Sequence, residues 1–441
     1  MPLDLYKKII QDNVTNNADR IREFGRDIYQ HAEMGFEEFR TAEQVKRVFS
    51  QLNLAVETQL AITGVKGVLS GKYSGPTVAI LGEMDGLLCK EHPQSNKSNQ
   101  AAHICGHNAQ LAAMVGAAYA LADQKIIDQL HGKVVFMATP AEEYVELEKR
   151  RQLREQGKLV YLAGKPELIR IGAFDQIDLA LITHVGADIP GKRIGLGGTA
   201  NGFIAKSVHF KGRAAHAGAA PEQGRNALQA ATIALNAINA WRESFRDDQH
   251  IKVHPIMTGG GEQVNIVPGE ARLELYIRAK SLEAILETSE KVNRALQAGA
   301  LAMGCTVVIQ DLPGFMPQTS SQPLVDVIRD NARLLLSEEQ IVANGHFPGS
   351  ADMGDLTQIM PGTIIEVGGT KGAPHTAGFD LIDEEAAYIV PAQLLAMTVL
   401  DLLVAGKAEQ IIQADNPPLT KEGYCRLIDG FFQEQTFDYQ F

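Results

Sequence analysis

The chain has 441 residues, 41 Lys+Arg against 53 Asp+Glu, and a formal net charge of −12. Its 45% hydrophobic and 21% charged residues exclude a disordered or collagen-like chain, and the length predicts two or three domains with ample core. The acidic balance argues against nucleic acid or an anionic membrane as a partner, since both favour a basic face.

The amino-terminal stretch MPLDLYKKIIQDNVTNNADR lacks the apolar core of a signal peptide, and no apolar run approaches the roughly 18–20 residues of a spanning helix. The expectation is a soluble, cytoplasmic protein. Cys89, Cys105, Cys305 and Cys425 are too scattered for a disulfide scaffold and read as reduced thiols.

In chain order, Ile9, Ile10, Val14, Ile21, Phe24 and Ile28 recur at helical spacing over the first forty residues. GVKGVLSGKY and PTVAILGEMD follow as strands, HNAQLAAMVGAAYALADQ as a buried helix, and KVVFMATP and LALITHV as further core strands. Apolar strands alternating with helices predict an α/β layer with a largely parallel sheet. KRRQLREQGK at 149–158 reads as a solvated helix face. The glycine-rich IPGKRIGLGGTANG suits a linker. Beyond it IAKSVHFKG, ARLELYIRAK and CTVVIQD alternate as half-solvated antiparallel strands, with two helical stretches between them. That order predicts a small α+β satellite over 196–311. It would be inserted in a discontinuous catalytic domain, an α/β unit of 1–195 and 312–441 with a mainly parallel mixed sheet flanked by helices. TIIEVGG and EAAYIVPAQLLAMTVLDLLV supply that domain's last strand and closing helix; the tail after 405 carries no readable motif.

Four places combine metal-ligand or acid–base residues with strand ends, where open α/β sheets gather ligands. In AHICGHN, Cys105 and His107 flank Gly106, so a tight turn can aim a thiolate and an imidazole at one point. In ATPAEEY, Glu142 and Glu143 follow a strand, where one carboxylate can bind metal and the other take a proton. His184 closes LALITHV, and His375 follows TIIEVGG in PHTAGFD. Each alone is most simply structural. Together Cys105, His107, Glu143, His184 and His375 form a five-ligand set suited to two close divalent ions and a bridging thiolate, with Glu142 the spare proton carrier.

The ordered set resembles the metal-dependent amidohydrolases that include hippurate hydrolase, auxin-conjugate hydrolases, bacterial N-acyl-amino-acid amidohydrolases and aminobenzoyl-glutamate hydrolase. Further matching pieces are HAEMGFEEFRTAE, GEMDGL, KGRAAHAGAAPEQGRNAL, GGGEQVNIVPGEARLELYIRA and PGSADMGDLTQIMPGT, covering about residues 20 to 404. The GSADMGDL form is closest to the aminobenzoyl-glutamate branch. The resemblance implies that Cys105, His107, Glu143, His184 and His375 hold two metal ions, zinc or manganese, with cobalt or nickel as alternatives. It implies Glu142 as general base and His216, in AAHAGAAP, as the residue that polarises the scissile carbonyl, often across a homodimer or higher homo-oligomer. Asn265 and Arg278 fall on substrate-binding positions. Two departures alter the groups that orient ligands: Asn108 stands where the family has an acid after Cys-Gly-His, and the usual Asp-x-Asp reads Glu83-Met84-Asp85. No family role attaches to the segment 147–170.

The implied activity is hydrolysis of an N-acyl amino acid, an aminobenzoyl-glutamate-like conjugate or a small dipeptide, with no nucleic-acid or membrane partner. The alternatives are an aminopeptidase or dipeptidase needing a free amino group, and an inactive metal- or peptide-binding homologue; retention of Glu142 weighs against the latter.

Overall fold

The computed structural model of the chain describes residues 3–440, which cluster into two compact units. The first comprises the chain through Gly198 together with Thr319–Gly345 and Asp355–Lys421. Its eight-stranded sheet runs Ala55–Leu60, Gly64–Ser70, His131–Thr139, Tyr73–Glu83, Leu179–Val185, Gly362–Val367, Ile194–Leu196 and Ile341–Ala343. The four middle strands, from His131–Thr139 to Gly362–Val367, are mutually parallel. Their apolar runs follow from burial on both faces; Leu179–Val185 is buried except at His184.

Helix His107–Leu121 is buried everywhere except Tyr119, and Val390–Leu403 everywhere except Gln393. Small residues bring them together: a Cβ on Gly116 would lie 2.6 Å from the Ala392 Cβ. A π turn, Glu385–Ile389, leads into the second helix. Among the described residues this Glu385–Leu403 stretch is long and apolar enough to cross a membrane, a length the sequence reading did not find, and it is 94% buried in the protein interior. The glycine-rich segment read as a linker contains a strand, Ile194–Leu196, that pairs antiparallel with Gly362–Val367.

The second unit comprises Thr199–Gln318, His346–Gly354 and the chain from Glu422 onward. Its antiparallel sheet runs Lys252–Gly259, Glu270–Ala279, Gly202–Lys211, Thr306–Pro313 and Gln433–Asp438, with helices Ala227–Trp241 and Leu282–Met303 packed together and against it. Two segments that the sequence assigned to the catalytic domain lie here instead. His346–Phe347 pairs in parallel with Thr199–Ala200, and Gln433–Asp438 pairs with Thr306–Pro313 from Thr306↔Asp438 to Asp311↔Gln433. Backbone pairing, rather than apolar periodicity, recruits both.

Candidate metal centre

In the first unit every residue of the candidate centre follows the carboxyl end of one of the four parallel strands or opens the helix beside them. Asp85 lies just past Tyr73–Glu83, Glu142 and Glu143 past His131–Thr139, His184 at the penultimate position of Leu179–Val185, and His375 in the loop after Gly362–Val367. His107 is the first residue of helix His107–Leu121, whose N-cap Gly106 has φ 80°. A Cβ there would meet the Val185 Cγ2 at 2.2 Å, so only glycine lets Cys105 and His107 flank this turn. Ala141 (φ 49°) and His375 (φ 61°) also hold left-handed backbone, a cost that the surrounding hydrogen bonds must offset.

The thiol of Cys105 is the hub. Its Sγ lies 3.5 Å from His184 Nε2 and 3.3 Å from His375 Nε2, and His375 Nε2 is 3.0 Å from Glu143 Oε1. Two groups of candidate ligands therefore share the sulfur, Cys105–His107–His184 and Cys105–Glu143–His375, with the atoms of each group within 4.8 Å of one another. The ring contacts fix which nitrogen faces inward. His107 Nδ1 donates to the Asp85 carbonyl at 2.8 Å and His184 Nδ1 to the Val185 carbonyl at 2.8 Å, leaving each Nε2 for the centre. The Asp85 carboxylate accepts from the Glu143 N–H at 2.9 Å, so one residue aligns a candidate imidazole through its main chain and a candidate glutamate through its side chain.

Burial, and then the charge of Glu143, push the Cys105 thiol far up, so a nearby cation is what would convert it to thiolate. Among the described residues His107 Nε2 and Glu143 Oε1 are buried and make ion-pair approaches, to Glu83 and His375, but no well-aligned hydrogen bond. Such atoms around a shared sulfur, with nitrogen and carboxylate donors, fit a pair of borderline divalent ions. Glu142, 8% exposed, has Oε2 3.9 Å from His107 Nε2 and belongs to neither thiol-sharing group.

Three surrounding groups were not found from the sequence. Arg150, read as part of a solvated helix face, is 3% exposed; it donates to the carbonyls of Val145, Leu162 and Glu143 and lies over the rings of Phe36 and Tyr144. It thus clamps the loop that carries Glu142 and Glu143. Lys165 is fully buried and its Nζ is 2.6 Å from Glu83 Oε1. Glu38, also fully buried, accepts from the Ala141 N–H at 2.8 Å and the Thr63 hydroxyl at 2.6 Å. Burial, and then the charge of Asp85, push it up to about 8. A lone lysine inside the apolar LVYLAGKPELI was the available signal for Lys165. Asn108 donates to the Tyr388 hydroxyl at 3.0 Å and to the Gly25 carbonyl at 3.4 Å; an ionised acid could accept from the hydroxyl but could not bond the carbonyl.

The second unit holds the remaining candidates. His216 is exposed, and its Nδ1 accepts from the N–H groups of Gly218 at 3.2 Å and Ala219 at 3.0 Å. These bonds assign the neutral ring's proton to Nε2, which makes the outward atom a donor. The loop is laced to Asn265 by the Ala217 N–H at 2.9 Å, and Asn265 is itself exposed. Arg278 lies over Phe203 at 4.9 Å from the ring centroid and donates to the Ser350 hydroxyl at 2.8 Å.

Residues 199–303 match the peptidase dimerisation domain. The human Xaa-Arg dipeptidase is 31% identical over 331 residues, 71% of this chain and 69% of that protein; its mouse counterpart is 28% identical over 91% of this chain and 90% of that protein. A dinuclear metal-binding peptidase of the M20 family from Bacillus subtilis superposes with a TM-score of 0.68 at 22% identity, covering 87% of this chain and 98% of that one. Strand-end ligands around a shared thiol, a matching satellite and relatives along most of the length make one assignment: the chain belongs to the M20 family of metal-dependent hydrolases that cleave linear amide bonds.

Proposed function

We propose that this chain removes the terminal amino acid from a small N-acyl amino acid or dipeptide, using two divalent ions held across Cys105. The reading is carried by the two ligand groups that share the Cys105 sulfur beside a carboxylate, Glu142, that neither group uses. Cys105, His107 and His184 would hold one ion, and Cys105, Glu143 and His375 the other; zinc and manganese both suit these donors. When bound, such ions would supply Lewis acidity toward the carbonyl and make water easier to deprotonate.

Glu142 takes a proton from the attacking water and returns it to the leaving amine as the C–N bond breaks. Asp85 fixes the His107 tautomer and the Glu143 backbone, and Arg150 holds the loop between. His216 offers its Nε2 proton to the oxygen on which negative charge develops. Arg278, stacked and hydrogen-bonded in place, binds the substrate carboxylate with help from Asn265. The enzyme works in the cytoplasm as a homodimer joined through the satellite. The match to a dimerisation domain supports the homodimer, as do exposed Ile256 (61%) and Met257 (40%) on Lys252–Gly259, an edge strand of that sheet.

A panel of N-acyl amino acids, aminobenzoyl-glutamate, and free and acetylated dipeptides, including Xaa-Arg, tests the class. Exhaustive chelation is expected to abolish hydrolysis and readdition of zinc or manganese to restore it. Full activity in metal-free protein would refute the mechanism. A strict need for a free α-amino group would favour the dipeptidase reading, which the two Xaa-Arg dipeptidase relatives support.

A further inference from the structure

Two exposed loops of the first unit meet at one hydrogen bond. From Leu88 to Gln100 every residue is exposed or half-buried except His92, which is 5% exposed. From Lys371 to Asp380, the stretch that carries His375, every residue is exposed or half-buried except Phe379, which is 1% exposed. The two buried residues face each other, with His92 Nε2 2.8 Å from the Phe379 carbonyl oxygen. The Gln94 N–H donates to His92 Nδ1 at 3.1 Å, which puts the ring's proton on Nε2 and makes that atom the donor to Phe379.

His375 needs such support. Its side chain is exposed and its backbone is left-handed, so packing does not hold it and its conformation costs energy. The loop is instead held at two points beside Cys105. The His375 N–H donates at 2.8 Å to the carbonyl of Ile104, the residue before Cys105. Four residues on, the Phe379 ring reaches the residue after Cys105, its Cζ 3.5 Å from where a Cβ on Gly106 would lie. A buried main-chain carbonyl needs a donor, and His92 supplies it at this second point.

The donor is itself tied down. Asn96 and Asn99 both donate to the Ala32 carbonyl, at 2.9 and 3.0 Å, and the Cys89 N–H donates to the Gln100 carbonyl across the base of the loop at 3.0 Å. The Tyr29 ring stands edge-on to His92 at 6.1 Å, and its hydroxyl donates to Asp380 Oδ1 at 3.1 Å, so one aromatic residue braces both loops. Resting on the two-metal reading above, we propose that His92 is a positioning residue. Its Nε2–H holds the loop so that His375 can share an ion with Cys105 and Glu143. The ion of Cys105, His107 and His184 draws its histidines from helix His107–Leu121 and strand Leu179–Val185, which this bond does not touch.

The test measures zinc bound per chain by mass spectrometry at a series of chelator-buffered free concentrations. Wild type is compared with His92→Phe, which keeps a flat ring without a donor, and with His92→Gln, whose Nε2 can donate to the same carbonyl. Hydrogen exchange in the metal-free proteins follows peptides covering 371–381, with helix His107–Leu121 as the folding reference. His92→Phe is expected to retain one ion and to bind the other about 10- to 100-fold more weakly, with faster exchange at 371–381 and an unchanged helix. His92→Gln is expected to return both readouts toward wild type. Two ions bound with wild-type affinity in folded His92→Phe, or a defect in His92→Gln equal to that in His92→Phe, would overturn the assignment while leaving the amidohydrolase reading intact. Loss of both ions together with helix protection would make His92 a packing residue and overturn it as well. A wild-type chain that binds no zinc or manganese would instead remove the two-metal reading, and this inference with it.

Discussion

At the strand ends of the first unit His107, Glu142 and Glu143 are buried among other charges, and carboxylates and cations that are themselves buried surround them, although His375 is exposed. In the second unit His216 is an exposed ring held by two main-chain amides, and among the described residues no carboxylate pairs with it. The contrast teaches where a substitution will be felt. Altering a buried charge disturbs metal content and stability along with chemistry, because each group solvates its neighbour. Truncating an exposed ring on a backbone-defined loop removes one donor and little else.

The largest effect that would sharpen this contrast is at the glutamate pair. Glu142→Gln is expected to lower turnover about 100- to 10,000-fold with bound metal nearly unchanged, whereas Glu143→Gln loses metal first. The reverse pattern in metal analysis would exchange the two roles. His216→Ala should reduce turnover about 100- to 1,000-fold while thermal midpoint and metal content stay at wild-type values. Near-normal turnover, or a large drop in midpoint, would break the comparison from the satellite side. Arg150→Met should cost about 1–3 kcal/mol in denaturant unfolding, because the loop carbonyls lose a buried charged donor; an unchanged midpoint would mean that the loop holds itself.

The smallest effect concerns Glu38. Its folded carboxyl keeps the proton to about 8, above the value of 4.5 it has when unfolded. Its contribution is therefore complete below 4.5 and is lost as pH rises through 8. Glu38→Gln, neutral at every pH, should gain stability relative to wild type between pH 5 and 9 when both are unfolded after chelation. Parallel stability curves would show that burial does not hold the proton there.

That these candidate ligands would cluster was legible because Glu143, His184 and His375 lie at or past the ends of apolar strands that the sequence states directly, and Cys105 lies just before the buried helix that His107 opens. The buried cations were not. Arg150 sits in a run of charges and only its tertiary contacts distinguish it from solvated neighbours such as Arg151 and Arg154, so periodicity misreads it. Glu83 appeared as a conservative departure, and its distance to His107 depends on how helix and sheet meet. In the satellite the alternation of ARLELYIRAK marks a strand, but QEQTFD, exposed along its length except at Phe437, carries no such pattern and is a strand only through its neighbour.

That last strand has a topological consequence. A strand laid on a sheet covers the edge beneath it and presents its own in turn. By lying along Thr306–Pro313, Gln433–Asp438 covers the backbone of the apolar TVVIQDLP and becomes the edge opposite Lys252–Gly259. The two edges then differ in kind: Lys252–Gly259 presents exposed Ile256 and Met257, whereas QEQTFD is polar, carries Glu434 and Asp438, and is exposed along its length except at Phe437. A chain cut before Gln433 would bare the apolar strand in place of an acidic one, and with it a second edge suited to sticking.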